Sequence, residues 1–495
     1  MSIERETKLQ ASPGFRMPEL ASDGVLASSA EERRLVATYF DTADRRLLRW
    51  GVSLRHRSGE GWTVKLPGTD PKTSVLTRAE HVVPGDDPRR MPSAARELVT
   101  AFARTGSLAP IARLKTRRRE IQLADELGRP IASVTDDEVS VMDGRRVSSR
   151  FRELEVELVA GVDEAVADGI VGRLRDAGSG PVENISKLRR AMGSLADLAP
   201  EVEAANLAED ATVRDVITRA ISASVVRLIS HDPGVRLGED PEAVHEARVA
   251  IRRLRSDLRS FRDLVDPAWS GPLRDELKWL GAGLGEVRDA DVLRDRLRSR
   301  EGSFGRNDGK MVERIVGILE ERRYAARERL LDAMRQERYV ALLDVLVAAA
   351  DSPAVMEHLA ALQGRQVLGA SMTNPWKHLR NAVAAAEQDP SDGALHQARI
   401  RTKRVRYAAE AVAPVFGKQA RRFAAGAADL QDVLGRHQDA VVADAFLRET
   451  AAGSVASAFV AGELAAYEAQ ARGSARKKWT ASWEALDRKR LRFWT

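Results

Sequence analysis

A chain of 495 residues exceeds one hydrophobic core of ordinary size, so two or three domains are expected. Its 43% hydrophobic and 31% charged residues indicate a globular protein and exclude extended disorder. The formal net charge of +6 predisposes it to polyanions, and the absence of cysteine excludes disulfides and thiolate-bound metals.

The N-terminal sequence predicts a cytoplasmic protein. Charges begin at Glu4 and leave no apolar stretch for a secretory signal. No run of about 18 uncharged apolar residues occurs, so neither a membrane span nor a membrane partner is expected. The sequence leaves the oligomeric state open.

The first predicted strand, residues 3–9, carries charges at every second position. Glu4, Glu6 and Lys8 share one face because side chains alternate along a strand, and a charged face does not suit an apolar core. Later strands repeat the pattern with charges of both signs. It predicts a sheet curled around a polar interior.

Short alternating runs separated by Gly, Pro and Asp turns continue through the first ~195 residues. Strands are expected at 36–41, 52–57, 61–66, 77–83, 113–123, 130–135 and 151–159, and helices at 93–105 and 163–177. The mixed order of these elements favours an antiparallel α+β domain over a parallel sheet.

The charges on these strands suit an oligophosphate together with a hard metal ion. Guanidinium groups grip phosphate oxygens bidentately, and carboxylate oxygens are the ligands of magnesium and manganese. The cations are Arg55, Arg57, Lys65, Arg78, Lys115, Arg117 and Arg119, and the later carboxylates are Glu153, Glu155 and Glu157.

An ordered set of motifs carries a family resemblance. The set comprises Glu4-x-Glu6-x-Lys8, Leu54-Arg55-x-Arg57, Trp62-x-x-Lys65-x-Pro67, Arg78-x-Glu80, Lys115-x-Arg117, Glu153-x-Glu155 and Ser186-Lys187. Over about residues 1–195 it resembles the CYTH family, the triphosphate tunnel metalloenzymes. The resemblance implies an eight-stranded antiparallel β-barrel tunnel with flanking helices, which binds triphosphate and Mg²⁺ or Mn²⁺.

The resemblance also implies roles for individual residues. The metal ligands would be Glu4, Glu6, Asp136, Glu153 and Glu155, with Asp137 as the alternative to Asp136. The catalytic set would be Glu4, Glu6, Lys8, Arg55, Arg57, Lys65, Arg117 and Lys187. Triphosphate would be bound by Lys8, Arg55, Arg57, Lys65, Arg78, Glu80, Lys115, Arg117, Arg119 and Lys187.

From residue 212 onward the apolar positions follow a helical period of three and four. We therefore expect a barrel domain at 1–197, a linker at 198–211 and an all-α domain at 212–495. The helical part repeats itself, because the segments that begin at His245 and His396 match at an offset of 151. Two pseudo-symmetric bundles, about 212–350 and 351–495, are predicted.

Each copy carries a basic stripe along one helix. His245, Arg248, Arg252, Arg255 and Arg259 fall within an arc of roughly 80° on a helix, and Asp240 is the expected N-cap. The second copy repeats the stripe after Ser391 with His396, Arg399, Lys403 and Arg406, but has Glu410 in the last place. Like charges along one face destabilise an isolated helix, so a polyanion or internal acidic partners must compensate.

The helical part resembles the CHAD family, the conserved histidine α-helical domains, over about 212–495. The resemblance implies a basic surface that binds inorganic polyphosphate. Its residues would be His245, Arg248, Arg252, Arg253, Arg255, Arg259, His396, Arg399, Lys403, Arg404, Arg406 and His437.

Three functions compete. The first is a metal-dependent hydrolase of inorganic triphosphate or a related triphosphate, with thiamine triphosphatase and adenylate cyclase activity as variants within the same fold. The second is a non-catalytic polyphosphate-binding or targeting protein. With either function, the expected location is the cytoplasm, in association with polyphosphate granules. Glu4 and Glu6 favour catalysis, because anion binding alone needs no acidic face. Nucleic-acid binding is disfavoured, since no reading motif or aromatic stacking platform is evident.

Overall fold

The computed structural model describes residues 2–22, 24–67, 76–183, 185–204, 206–208, 210–451 and 455–494, without the side chains of 2–5, 76–78, 306, 455 and 456. Contacts divide the chain into two compact units. We call Met1–Glu201 the barrel unit and Val202–Thr495 the helical unit.

Within its described residues, the barrel unit has one antiparallel sheet of nine strands. They are β1 (Ser2–Ala11), β2 (Val25–Ala27), β3 (Glu31–Asp41), β4 (Ser53–Arg57), β5 (Gly61–Pro67), β6 (Leu76–Val83), β7 (Ala109–Asp125), β8 (Pro130–Asp143) and β9 (Arg146–Leu158). The helices are α1 (Arg46–Arg49), α2 (Ser93–Ala103), α3 (Glu164–Asp176) and α4 (Lys187–Met192).

Eight of the strands close into a ring. Their order is β7-β3-β4-β5-β6-β1-β9-β8, and β8 pairs back onto β7 from Arg113 to Ala124. The three-residue β2 only extends the edge of β7 beyond β3. The predicted eight-stranded antiparallel barrel with flanking helices is confirmed.

The two faces of the barrel wall differ in chemistry. On the outer face, Leu123, Leu154 and Val156 pack with Ile170 of α3 into an apolar cluster, which gains about 25 cal/mol for each Å² buried. Inside, one end of the barrel is apolar, where Leu114, Val139 and Leu188 of α4 meet. The remaining interior is therefore available for polar side chains.

The helical unit continues the numbering with eleven helices in the part that the structure describes. They are α5 (Val213–Leu237), α6 (Pro241–Ser260), α7 (Pro267–Arg298), α8 (Arg306–Arg335), α9 (Glu337–Asp351), α10 (Glu357–Ala360), α11 (Gly364–Val367), α12 (Thr373–Gln388), α13 (Asp392–Phe416), α14 (Lys418–Thr450) and α15 (Val455–Leu486). Helices α6–α8 begin at residues 241, 267 and 306, and α13–α15 begin 151, 151 and 149 residues later. The division into two bundles at about 212–350 and 351–495 stays a prediction. None of the described helices is long and apolar enough to span a membrane.

The two stripe helices begin as their sequences predict. Asp240 caps α6 by accepting a hydrogen bond from Glu242 N at 2.8 Å, and Pro241 follows at the first helical position. Ser391 caps α13 by accepting from Ala394 N at 3.3 Å. The two caps fix the residue at which each stripe helix begins.

Candidate functional site

A polar cavity of about 190 Å³ occupies the interior of the barrel unit. Charges of both signs line it, as the alternating strands predict. Among the described residues, the lining cations are Lys8, Arg55, Arg57, Lys65, Arg118 and Lys187, and the lining carboxylates are Glu6, Glu60, Glu80, Glu155 and Glu157.

Two buried lysines bind the carboxylates of β8 and β9. Lys8 Nζ donates to Glu155, and Lys187 Nζ lies 2.9 Å from Asp137 and 2.7 Å from Glu155. Burial alone would lower the pKa of Lys187, but Glu155, Asp137 and Glu153 raise it well above its ordinary value. The same lysines hold the pKa of Glu155 well below its usual range despite its burial. Glu155 is therefore ionised and already neutralised by protein cations.

Arg118 of β7 is an interior cation that the sequence analysis did not single out. Its guanidinium donates to Asp137 at 2.9 and 2.7 Å and to Glu155 at 3.0 Å. Burial opposes its charge, but these two carboxylates raise the pKa of Arg118. The strand register explains the contact, because Arg118 lies opposite Asp137, which in turn lies opposite Glu153 on β9.

The neighbouring cations of β7 occupy the other face, so their predicted place in the interior is wrong. Lys115, Arg117 and Arg119 are exposed on the outside of the barrel. Arg117 donates there to Glu32 at 2.8 and 2.9 Å. Alternation along the strand prevents these three from sharing a face with Arg118.

Register also separates the two aspartates of β8. Asp136 lies on the outer face, where Arg152 donates to it through two nitrogens at 2.8 Å each. Asp137 lies on the inner face, bound to Arg118 and Lys187. The assignment of Asp136 to a metal is therefore wrong, and Asp137 positions the interior cations.

Glu6 and Glu157 are the interior pair best suited to a metal ion. They lie directly opposite each other on β1 and β9, where like charges repel. Partial burial and the carboxylate of Glu6 raise the pKa of Glu157. A divalent cation would relieve this repulsion, and Mg²⁺ commonly takes one or two carboxylates together with substrate phosphates. No trio of ligand-distance carboxylates occurs among the described side chains of this unit.

Two predicted residues lie outside the described side chains. Glu4 of β1 and Arg78 of β6 are opposite each other in the backbone pairing, and their contacts stay predictions.

Strand β4 presents two arginines with unused Nε donors, and β5 adds Lys65 beside them. Arg55 Nη2 lies 3.3 Å from Glu80, Lys65 Nζ lies 3.1 Å from Glu80, and Arg57 Nη1 lies 2.6 Å from Glu60. The Nε groups of Arg55 and Arg57 are buried with no hydrogen-bond partner among the described residues. Buried donors without partners are costly, so this wall is suited to an anionic oxygen.

Tyr39 of β3 is a further lining residue that the sequence analysis missed. Burial alone would raise the pKa of Tyr39, but Arg55, Arg57 and Lys187 lower it below its ordinary value. The hydroxyl group therefore lies in a strongly positive field, on the same side of the cavity as the arginines with free donors.

The helical unit has its own cavity, about 650 Å³, which opens between α6, α13 and α14 and is called the cleft here. Seven of the predicted polyphosphate-binding residues line it, namely His245, Arg248, Arg252, Arg253, Arg399, Lys403 and Arg406. Arg227 and Arg436 add cations that the sequence analysis did not name, while Glu246, Glu410, Asp432 and Asp439 are the lining acids.

The cations of the cleft disfavour one another's charge. Burial, followed by Arg399, Arg252 and Arg248, lowers the pKa of Lys403 to about 7. Burial and the neighbouring arginines, Arg406 among them, also lower the pKa of Arg252. The Nε groups of Arg252 and Arg399 are buried without a hydrogen-bond partner in the described part of the chain. An anionic ligand would satisfy both the charge and the donors.

Glu410, which interrupts the second stripe, joins the two copies. It accepts hydrogen bonds from Arg253 of the first copy and from Arg406 Nε at 2.8 Å. At the offset of 151, Glu410 corresponds to Arg259 and Arg253 corresponds to Arg404. Burial and Arg259 lower the pKa of Arg404 to about 10. The contact between Arg253 and Glu410 is thus an ion pair, whereas the equivalent residues, Arg404 and Arg259, carry like charges.

Five predicted polyphosphate-binding residues do not line the cleft: Arg255, Arg259, His396, Arg404 and His437. His437 is only 1% exposed, and its Nε2 lies 3.2 Å from Asp392 and 3.3 Å from Arg476 Nε. His396 Nδ1 lies 2.7 Å from the Gln438 side chain. These histidines contact neighbouring helices instead of lining the cleft, and their role in polyphosphate binding stays a prediction.

A buried acid lies beside the ion pair that joins the copies. Burial, together with Glu410, raises the pKa of Asp257 to about 8, although Arg253 opposes the shift. Its Oδ1 has no hydrogen-bond partner among the described residues. The pKa of Asp257 in the folded protein exceeds the ordinary value near 3.9. Between about pH 4 and about pH 8 the folded protein therefore keeps a proton that the unfolded chain has lost, and the free energy of unfolding falls as the pH rises.

We expect Asp257→Asn to raise the melting temperature, and to raise it more at pH 8.5 than at pH 5.5, because the variant never ionises at this position. Thermal unfolding at the two pH values measures the effect. Asp332→Asn, at an exposed acid of α8, is the matched control and should change little. An equal gain at both pH values would contradict the raised pKa.

A barrel with a mixed-charge interior and a helical unit with a basic cleft define a class of phosphate-handling protein. The CYTH domain model matches residues 2–191, and the CHAD domain model matches residues 219–448. An uncharacterized protein of Mycobacterium tuberculosis is 31% identical over 452 residues, which cover 84% of this chain and 82% of that protein. The chain therefore belongs to the proteins in which a CYTH domain precedes a CHAD domain.

Two solved structures are among the proteins that the chain is similar to. PptA from Streptomyces chartreusis is 23% identical with a TM-score of 0.46, and the match covers 55% of this chain and 100% of that one. The CHAD domain from the plant Ricinus communis is 30% identical with a TM-score of 0.48, covering 58% and 96%. The barrel unit has the triphosphate tunnel fold of the CYTH family, whose members are often triphosphatases and typically depend on a divalent metal.

Proposed function

We propose that the protein is a divalent-metal-dependent hydrolase of inorganic triphosphate or a related triphosphate, and that its cleft binds inorganic polyphosphate. The observation that carries the first part is the convergence of lining cations and opposed carboxylates in one cavity. A cavity that only bound anions would gain nothing from Glu6 opposite Glu157.

The substrate would be held by the wall formed by β4 and β5. Arg55 and Arg57 offer buried Nε donors, and Lys65 lies beside them. Two unit charges about 4 Å apart interact by roughly 4 kcal/mol at an effective dielectric near 20. Several such contacts favour a multiply charged ligand. The same donors would stabilise charge on the oxygens of the transferred phosphoryl group.

Glu6 and Glu157 would hold Mg²⁺ or Mn²⁺ opposite this wall. When bound, the metal offsets phosphate charge and supplies a polarised water. Glu155 has a different role, because Lys8, Lys187 and Arg118 already contact it. It would keep those cations fixed in the cavity.

Removing either metal-side carboxylate should weaken metal binding. We expect Glu6→Gln and Glu157→Gln each to raise the Mg²⁺ concentration for half-maximal phosphate release by about tenfold or more. A magnesium titration at saturating triphosphate measures it. Glu138→Gln, at a half-exposed carboxylate on the outer face of β8, is the control and should match the unsubstituted protein. Unchanged magnesium dependence in both interior variants would remove these carboxylates from the mechanism.

The substrate class is tested by phosphate release from triphosphate, long-chain polyphosphate, thiamine triphosphate and ATP, each with Mg²⁺, Mn²⁺ or a chelator. We expect metal-dependent release that is fastest from inorganic triphosphate. Release from none of the four would favour the second candidate, a non-catalytic polyphosphate-binding protein. The cleft supports that candidate independently, since its described residues include arginines with unpartnered Nε donors.

A further inference from the structure

Among the described residues that line the cleft, Lys403 is the one lysine, and the other basic residues are His245 and arginines. At the offset of 151, the first copy has Arg252 at the corresponding position. The exchange matters chemically, because a guanidinium stays charged while a lysine amine becomes a nucleophile once it loses its proton. The two copies therefore differ in reactivity at an equivalent place.

The surroundings of Lys403 favour the neutral amine and attract anions. Arg248 and Arg252 face it from α6, and Arg399 faces it from its own helix. The acid that faces it is Asp439 of α14, which is partly exposed and lies 4.0 Å from Arg399. Further along the lining, α13 adds Arg406 and Glu410, α14 adds Asp432 and Arg436, α6 adds Glu246, and α5 adds Arg227. The lysine is itself only partly exposed.

We propose that Lys403 is a site of covalent acylation by acyl phosphates, and that acylation and polyanion binding exclude each other. The arginines around the amine would hold the phosphate of the donor, which places its carbonyl carbon near Nζ. The proposal rests on the proposed anion-binding role of the cleft.

The reaction is balanced without a further reactant. The amine Nζ attacks the carbonyl carbon, and a C–N bond forms. The bond between that carbon and the phosphate oxygen breaks, and phosphate leaves with the electron pair. The proton from nitrogen passes to the released phosphate or to water. The products are an amide and inorganic phosphate.

The protonation state of Lys403 supports the reaction. Burial and the neighbouring arginines lower the pKa of Lys403 to about 7. At pH 7 about half of such an amine is neutral, against about one in 2,500 for a lysine with the ordinary pKa of 10.4. The lower basicity also weakens the nucleophile, so the gain in rate is smaller than the gain in neutral amine.

The test uses the full chain with acetyl phosphate and site-resolved mass spectrometry. We expect Lys403 to be acetylated at least about tenfold faster at pH 7 than Lys278 and Lys377, which are exposed lysines of the same helical unit. Between pH 7 and 9 the rate at Lys403 should level off while the rates at the other two continue to rise. Equal rates at all three positions would overturn the proposal.

Two substitutions exploit the duplication. Arg252→Lys places a second lysine at the equivalent position of the first copy, and we expect it to be acetylated as Lys403 is. Lys403→Arg should remove the fast site and leave the acetylation rates of the exposed lysines unchanged.

A neutral acetylating ester is the reagent control. The preference for Lys403 should shrink with this reagent, because the arginines do not attract an uncharged acetyl donor. An undiminished preference would contradict the role of the arginines.

Polyphosphate competition separates this proposal from the proposed function. Polyphosphate of defined length should protect Lys403 and not Lys278. If Lys403 is acetylated quickly but polyphosphate neither binds nor protects, the polyphosphate role of the cleft fails and the acylation site stands. If polyphosphate binds tightly and Lys403 reacts no faster than Lys278, acylation alone is refuted.

Discussion

Replacing Arg118 with glutamine should lower kcat/KM for triphosphate hydrolysis by about 100-fold or more, the usual effect of losing one preorganised donor. Arg118 lines the barrel cavity and donates to Asp137 and Glu155. Without it, two buried carboxylates lose a cation, and the field that would hold the substrate weakens. Steady-state phosphate release measures the effect, and circular dichroism checks that the variant is folded.

Arg117→Gln is the matched control, because it removes the same side chain one residue earlier in the same strand. Arg117 is exposed and bound to Glu32 on the outer surface. Its loss should change kcat/KM by less than about twofold, since an exposed ion pair contributes less than about 1 kcal/mol. Arg118→Lys should recover part of the activity by keeping the charge. A larger loss in the Arg117 variant than in the Arg118 variant would show that the inner and outer faces are wrongly assigned.

Reversing two charges in the cleft should weaken polyphosphate binding by about 100-fold or more, at about 1.4 kcal/mol for each factor of ten. The variant combines Arg248→Glu and Arg399→Glu, one from each copy of the repeat. Reversal removes an attraction and adds a repulsion near a ligand of high charge. Titration of polyphosphate of defined length at two salt concentrations measures both the affinity and its screening.

Arg380→Glu, at an exposed position of α12, controls for the change in net charge and should alter affinity only slightly. Unchanged affinity in the double variant would exclude the cleft as the polyphosphate site. The salt dependence adds a second criterion, because fewer protein–phosphate contacts should make the affinity less sensitive to salt.

The strand pattern predicted the barrel because alternation is a local property. Arg55 and Arg57, Glu6 and Lys8 each occupy alternate positions, and all four line the cavity. The pattern failed on β7, where cations occupy both faces of the strand. Local alternation says which residues share a face but not which face is enclosed.

Burial distinguishes the two faces of β7 around Arg118. Leu114 and Thr116 of β7 are buried and share the inner face with Arg118. Lys115 and Arg117 alternate with them and are exposed. Further along the same strand, however, Leu123 is buried on the outer face against α3, so a buried apolar residue does not by itself mark the enclosed face.

The duplication was evident from the sequence, but its consequences were not. The offset of 151 predicted equivalent stripes, and the structure brings Arg252 and Lys403 into one cleft. His437, predicted in the same surface, does not line the cleft because it is buried against Asp392 and Arg476. Arg259 is exposed and also lies outside the cleft lining. Glu410, which only interrupts the pattern in the sequence, proves to be the acid that Arg253 contacts.

The sequence by itself determined the two-part architecture and the charged strand faces, because these follow from residue type and short-range period. It also determined the repeated helices, because the two copies match at an offset of 151. Only the tertiary structure decided that Arg118 and Asp137 face inward while Arg117 and Asp136 face outward. That choice depends on the pairing of β8 with both β7 and β9, which closes the barrel. Closure of the barrel depends on contacts between residues far apart in the sequence, so it cannot be predicted from the pattern of neighbouring residues.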